Sequence, residues 1–204
     1  MYEFSIPMAL MDFVPVLLFG VAAVLLQRDL YGKMTKYAFA CLAAGAVDAF
    51  LAGFLKAMWK LLYAAGVCDF QLLNTVFLPM QSLGLLLCGL GVVLMLCGKK
   101  TGKLRAVAPP VFSGTFLFIG MMVLGLGGLC AGLSVISVRM KKGGAVALFA
   151  LCFLCYMGMG YLSSRDSASA SVNWIEQGVN CLGQALLLVG TLILHRAGLR
   201  EKEL

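Results

Sequence analysis

The chain has 204 residues, of which 62% are hydrophobic and only 12% charged, with a formal net charge of +7. A soluble domain carries about 25% charged residues to make its surface, so this composition excludes one and leaves an all-α polytopic membrane protein whose outer face is lipid. The basic residues fall between hydrophobic segments, as at Lys99, Lys100, Lys103 and Arg105, where they meet headgroups and water; without a basic domain or tail, nucleic acid is excluded as a partner.

The first span runs from Pro7 to Gln27, and Pro15 is expected to kink its start. It reads as a span rather than a secretory signal, because Glu3 and Asp12 stand where such signals carry lysines and no small-residue cleavage site precedes Arg28. After the charged connection Gln27 to Lys36, the second span begins near Tyr37 and carries Gly45, Ala49 and Gly53 at spacing four, a smooth face for close packing. It continues through Lys56, Trp59, Lys60 and Tyr63 to Gly66, longer than the about 20 residues that crossing requires, so its end is expected at the membrane surface. There Trp59 and Tyr63 would sit in the aromatic belt and both lysines would snorkel to water.

The third span, Leu72 to Cys97, contains Pro79, which removes a backbone hydrogen bond near Gln81 and Ser82 and could leave a carbonyl facing a ligand. A charge-free fourth segment runs from Pro109 to Val138, with Gly128 and Gly132 set for tight packing. The fifth span covers Gly144 to Leu162. The polar loop Ser163 to Ser171 follows, with Ser171 as an expected helix cap, and the last span runs from Asn173 to His195 before a short charged tail.

Spans three and six echo one another. Asn74, Gln81, Gly84 and Gly91 match Asn173, Asn180, Gly183 and Gly190 at a constant offset of 99 residues, and Lys33–Lys36 resembles Arg139–Lys142 at an offset of 106. The expectation is a six-helix bundle made of two three-helix halves, residues 1–98 and 99–204, within one membrane domain. With three crossings per half and strict alternation, the second half would be inverted relative to the first, and the site would lie between spans three and six. Under the same alternation the basic residues divide evenly between the two sides. Setting Lys56 and Lys60 aside tips the balance towards both termini outside.

The candidate substrate-binding residues are the intramembrane polar ones. On the last span, Asn173, Gln177, Asn180 and Gln184 share one helix face, with Glu176 beside Asn180. Asn74, Gln81 and Ser82 are the candidates on the third span, and Asp48 lies in the middle of the second. Amides and carboxylates have no water to bond in hydrocarbon, so they must face other helices or a wet cavity. Six amides on two spans exceed what interhelical packing requires. Trp59, Trp174 and Phe77 could close over a ligand or anchor the span ends.

Other chemistry is weakly represented. Cys152 and Cys155 have the spacing of a thiol pair, but no neighbouring group lowers a thiol pKa and no second pair completes a zinc site. Most of the eight cysteines lie in or at the ends of apolar segments and read as small hydrophobes, so no disulfide framework follows. His195, the one histidine, stands at a helix end beside Arg196, where it suits capping or headgroup contact. No metal or cofactor is expected, and no nucleotide-binding motif is present.

The residues point first to a membrane transporter or channel for a small polar or cationic solute. It would be multi-pass in a plasma or inner membrane, and would work alone, as a homo-oligomer or with a partner membrane subunit. The competing expectations are a membrane-embedded enzyme or thiol oxidoreductase acting on a lipid or quinone, and a substrate-binding or sensor subunit of a larger complex.

Overall fold

The computed structural model describes residues 5–98, 114–162 and 170–202. All the regular structure among them is helical: α1 (Ile6–Met11), α2 (Phe13–Leu30), α3 (Lys36–Ala64), α4 (Leu72–Thr75), α5 (Phe77–Cys97), α6 (Thr115–Arg139), α7 (Gly143–Leu162) and α8 (Ala170–Arg196), with one 3-10 turn at Tyr31–Lys33. Six helical stretches are long and apolar enough to cross a membrane, with α1–α2 and α4–α5 each counting as one. The connections Lys99 to Arg105 and Ser163 to Ser169, and the start of the expected fourth span at Pro109, lie outside the described residues. Ser171 lies inside the first turn of α8 rather than before it.

Two prolines explain where the broken helices break. Pro15 has no N–H to offer the carbonyl of Met11, and the helix interrupts at Asp12; Pro79 has none for Thr75, and the interruption falls at Val76. Each break therefore lies three residues before its proline. Side-chain caps start the other early helices: Ser5 Oγ accepts from the Met8 amide at 3.4 Å, and Thr35 Oγ1 from the Ala38 amide at 3.3 Å.

The six spans close into a ring. α2 packs on α3, α3 on α5, α5 on α6, α6 on α7, α7 on α8, and α8 back on α2, so α5 and α8 stand opposite one another. Glycines set the closest approaches. A Cβ added at Gly45 would lie 2.5 Å from the Gly84 carbonyl oxygen of α5, and one at Gly125 would lie 2.3 Å from the Leu86 amide nitrogen. Gly53, by contrast, backs onto Val16 of α2, so the small-residue stripe of α3 serves two neighbours.

The contact register gives the direction of each helix. Gly125 lies against Leu86, Gly128 against Gly89 and Gly132 against Val92, with both numbers rising together; α5 and α6 therefore run parallel. So do α2 and α8, since Leu187 borders Phe19, Ala23 and Leu26 while His195 meets Asp29. The expected inversion of the second half is thus corrected: α2, α5, α6 and α8 run one way and α3 and α7 the other. Strict alternation fails between Cys97 and Thr115, which stand at opposite ends of the ring, and nothing in the hydrophobic pattern marks that. For the same reason Ser5 and Arg196 lie at opposite ends, so the expectation of both termini on one side does not hold.

The two ends differ in charge. Of the Lys and Arg residues among those described, Arg28, Lys33, Lys36, Arg139, Lys141, Lys142, Arg196, Arg200 and Lys202 gather at the end marked by Asp29. The other end, marked by Asp12, holds only Lys56 and Lys60 among the described residues.

Candidate functional site: a mixed-charge cavity

At the Asp12 end the ring encloses a cavity of about 470 Å³ to which all six spans contribute side chains. Its polar groups arrive by simple helix geometry. On α8, Glu176, Gln177, Asn180 and Gln184 recur at spacings of three and four and share a face. On α3, Ala49, Gly53, Lys56 and Lys60 do the same. Asp12 comes from the α1–α2 break, Gln81 from α5 and Tyr156 from α7. Phe19, Phe50, Phe77, Ile119 and Met122 make up much of the rest of the wall, and Phe116, 90% exposed, marks the open side.

One pair of charges is closed. Lys60 Nζ lies 2.8 Å from Asp12 Oδ2, with both side chains largely buried. Lys60 therefore turns inward rather than snorkelling. Lys56, one turn earlier, also faces the cavity, with its ammonium 4.0 Å from the centre of the Phe77 ring. A cation over an aromatic face gains about 0.5–2 kcal/mol. Glu176 is not paired with Lys56.

The acceptors are open too. Among the described residues, Gln81 Oε1, Glu176 Oε1, Gln177 Oε1 and Gln184 Oε1 are buried without a hydrogen-bond partner, although Gln184 Nε2 donates to the Tyr156 hydroxyl. Gln177 and Gln184 are only 4% and 5% exposed. Each unmade bond at a buried polar group costs roughly 1–3 kcal/mol, so four around one cavity is more than a packing surface tolerates.

The remaining sequence candidates lie elsewhere. Ser82 is fully buried and its hydroxyl donates to the Leu78 carbonyl at 2.6 Å, back along its own helix. Asn74 is in α4 and Asn173 is buried a turn before the lining of α8 begins. Asp48 is not in the lining; it has no ion-pair partner among the described residues, and its Oδ2 is buried without a hydrogen bond. Trp174 is 44% exposed, away from the cavity. Trp59 is buried and donates from Nε1 to Asp69 Oδ1 at 2.9 Å, so it fastens the connection after α3 instead of sitting in an interfacial belt.

Sequence reading passed over Asp12, Lys56, Lys60 and Tyr156. The signal for the lysines was present: they continue the stripe of Ala49 and Gly53 at helical spacing, and that stripe has to face other helices.

A second polar cluster fastens the opposite end. His195 Nδ1 lies 2.8 Å from Asp29 Oδ2, and Arg28 Nη2 lies 2.8 Å from His195 Nε2. Arg28 Nη2 also lies 3.2 Å from Nδ1, so the guanidinium, which can only donate, reaches both ring nitrogens while Nδ1 is the one beside Asp29. His195 thus joins α8 to α2 rather than capping its own helix. Cys152 is fully buried and its hydrogen-bonding neighbour is Cys130 of α6, and all eight cysteines are free. Among the described residues no group of three or more His, Cys, Asp or Glu side chains could hold a metal ion.

Fold and cavity together define a multi-pass helix bundle with a polar, mixed-charge chamber at one end. No family model, curated protein or solved structure matches the chain.

Proposed function

We propose that this chain is a membrane transporter or channel for a small polar or cationic solute, which it binds in the cavity bounded by α5 on one side and α8 on the other. The observation that carries this reading is the set of four unpartnered oxygens, one on α5 and three on α8, in a cavity of about 470 Å³. That volume lies within the roughly 300–1,000 Å³ of small-molecule sites.

The gathering of basic residues at the Asp29 end supports a cytoplasmic location for that end in a plasma or inner membrane. The cavity then faces the opposite side, as in a protein that takes up solute from outside. With no nucleotide-binding motif in the chain, movement is passive or driven by a gradient, unless a partner subunit supplies energy.

We also read the halves as two repeats running in the same direction, related by an axis along the membrane normal. In support, Gly84 of α5 backs onto Ala49 of α3, while Gly183 of α8 backs onto Cys155 of α7. These are the positions related by the offsets of 99 and 106 residues.

The test is solute uptake into proteoliposomes, with radiolabelled amino acids, amines and polyols as the first panel. The reading expects saturable uptake that Gln177→Leu and Gln184→Leu reduce without unfolding the protein. Uptake equal to that of empty liposomes, for every solute and in both orientations, would overturn it.

A further inference from the structure

We infer that the solute is a small zwitterion with an apolar body, an assignment that rests on the cavity being a solute site. Its ammonium group is met by Glu176 with Gln177 and Gln184, and its carboxylate by Lys56. The charges of the cavity carry the argument. Asp12 and Lys60 neutralise one another at 2.8 Å. Among the described lining residues, what remains open is one cation, Lys56, whose ammonium lies over the face of Phe77, and one anion, Glu176, whose Oε1 has no hydrogen-bond partner.

A simple cation bound here would satisfy Glu176 and be repelled by Lys56; a simple anion would do the reverse. Either leaves a net charge in a largely apolar site, which is unfavourable. A zwitterion leaves none. The hydrogen-bond inventory agrees: an ammonium group offers three donors to the open oxygens of Glu176, Gln177, Gln184 and Gln81, while a carboxylate offers acceptors to the ammonium of Lys56. The apolar part of the wall, with Phe19, Phe50 and Met122 in it, suits a hydrocarbon or aromatic side group.

The experiment is calorimetric binding to the purified full chain in nanodiscs with three probe sets. Leucine, methionine and phenylalanine are the zwitterions; their amides lack the carboxylate; 4-methylvalerate and 3-phenylpropionate lack the ammonium group. The inference expects at least one of the amino acids to bind about tenfold or more tighter than its amide, and than its deaminated counterpart where that is in the panel. Lys56→Met should abolish the preference over the amide, and Lys56→Arg should keep it. Glu176→Gln should abolish the preference over the deaminated acid.

If the amides bind as well as the amino acids, the zwitterion is overturned while the solute site stands. If uptake is seen only for polyols or simple amines, the outcome is the same. If no probe binds and no solute is taken up, the site itself fails along with it. Should Lys56→Met not fold, the comparison of the three probe sets on the unaltered protein decides the matter alone.

Discussion

Lys60 Nζ and Asp12 Oδ2 form an ion pair 2.8 Å apart that ties α3 to the break between α1 and α2. Removing one partner strands a buried charge, and such losses run to about 3 kcal/mol. Asp12→Asn and Lys60→Met are each expected to lower thermal stability in detergent, while the double substitution recovers most of the loss. Equal additive losses in a double-mutant cycle would show that the pair is not coupled.

The parallel contact of α5 with α6 depends on glycine. Gly125→Ala brings a methyl group to within 2.3 Å of the Leu86 amide nitrogen, so the helices have to separate, at a cost of about 1–3 kcal/mol or more. Gly120→Ala on the same helix meets nothing within 4 Å and should be neutral or stabilise by up to about 1 kcal/mol through helix propensity. Unfolding midpoints of the two variants in detergent check this ordering.

At the other end, Asp29 is almost wholly buried beside His195 and Arg28, whereas the Arg28 side chain is half exposed. Asp29→Ala removes the acceptor that holds the His195 ring and is expected to lower stability by about 2 kcal/mol. Arg28→Ala should change it by less than about 1 kcal/mol, because an exposed charge is screened by water. A reversed order in thermal unfolding would contradict this account of the cluster.

Native cysteines report the orientation. Cys68 and Cys97 are both exposed, and they lie at opposite ends of the ring: Cys68 follows α3 at the cavity end, and Cys97 closes α5 at the basic end. A membrane-impermeant maleimide added to intact cells should label Cys68 at once and Cys97 only after permeabilisation, read by mass spectrometry. The opposite pattern would put the cavity on the cytoplasmic side.

Much of this architecture is legible in the residues. Spans announce themselves because every backbone polar group in lipid must be satisfied within a helix, and the amide stripe of α8 follows from the spacing of Gln177, Asn180 and Gln184. The spans' directions were not legible. Hydrophobic length has no sign, so the parallel run of α5 and α6 emerges only from which glycine meets which partner. Lys56 and Lys60 were read as surface-seeking because lysine side chains reach water in most membrane helices; their register with Ala49 and Gly53 is what turns them inward. Asp48 was chosen for its depth, yet depth says nothing about facing, and it sits outside the cavity. The Asp12–Lys60 pair joins residues far apart in the chain, and no local pattern encodes that meeting.

Whether water and solute reach the oxygens of α5 and α8 is the question on which the functional account stands. In a cysteine-free background, Gln81→Cys and Asn180→Cys can each be exposed to a small charged methanethiosulfonate from either side of the membrane. The account predicts that both react readily from the side on which Cys68 lies, and that a transported solute slows the reaction. Failure of both to react from either side would show a dry, packed interior, and would contradict it.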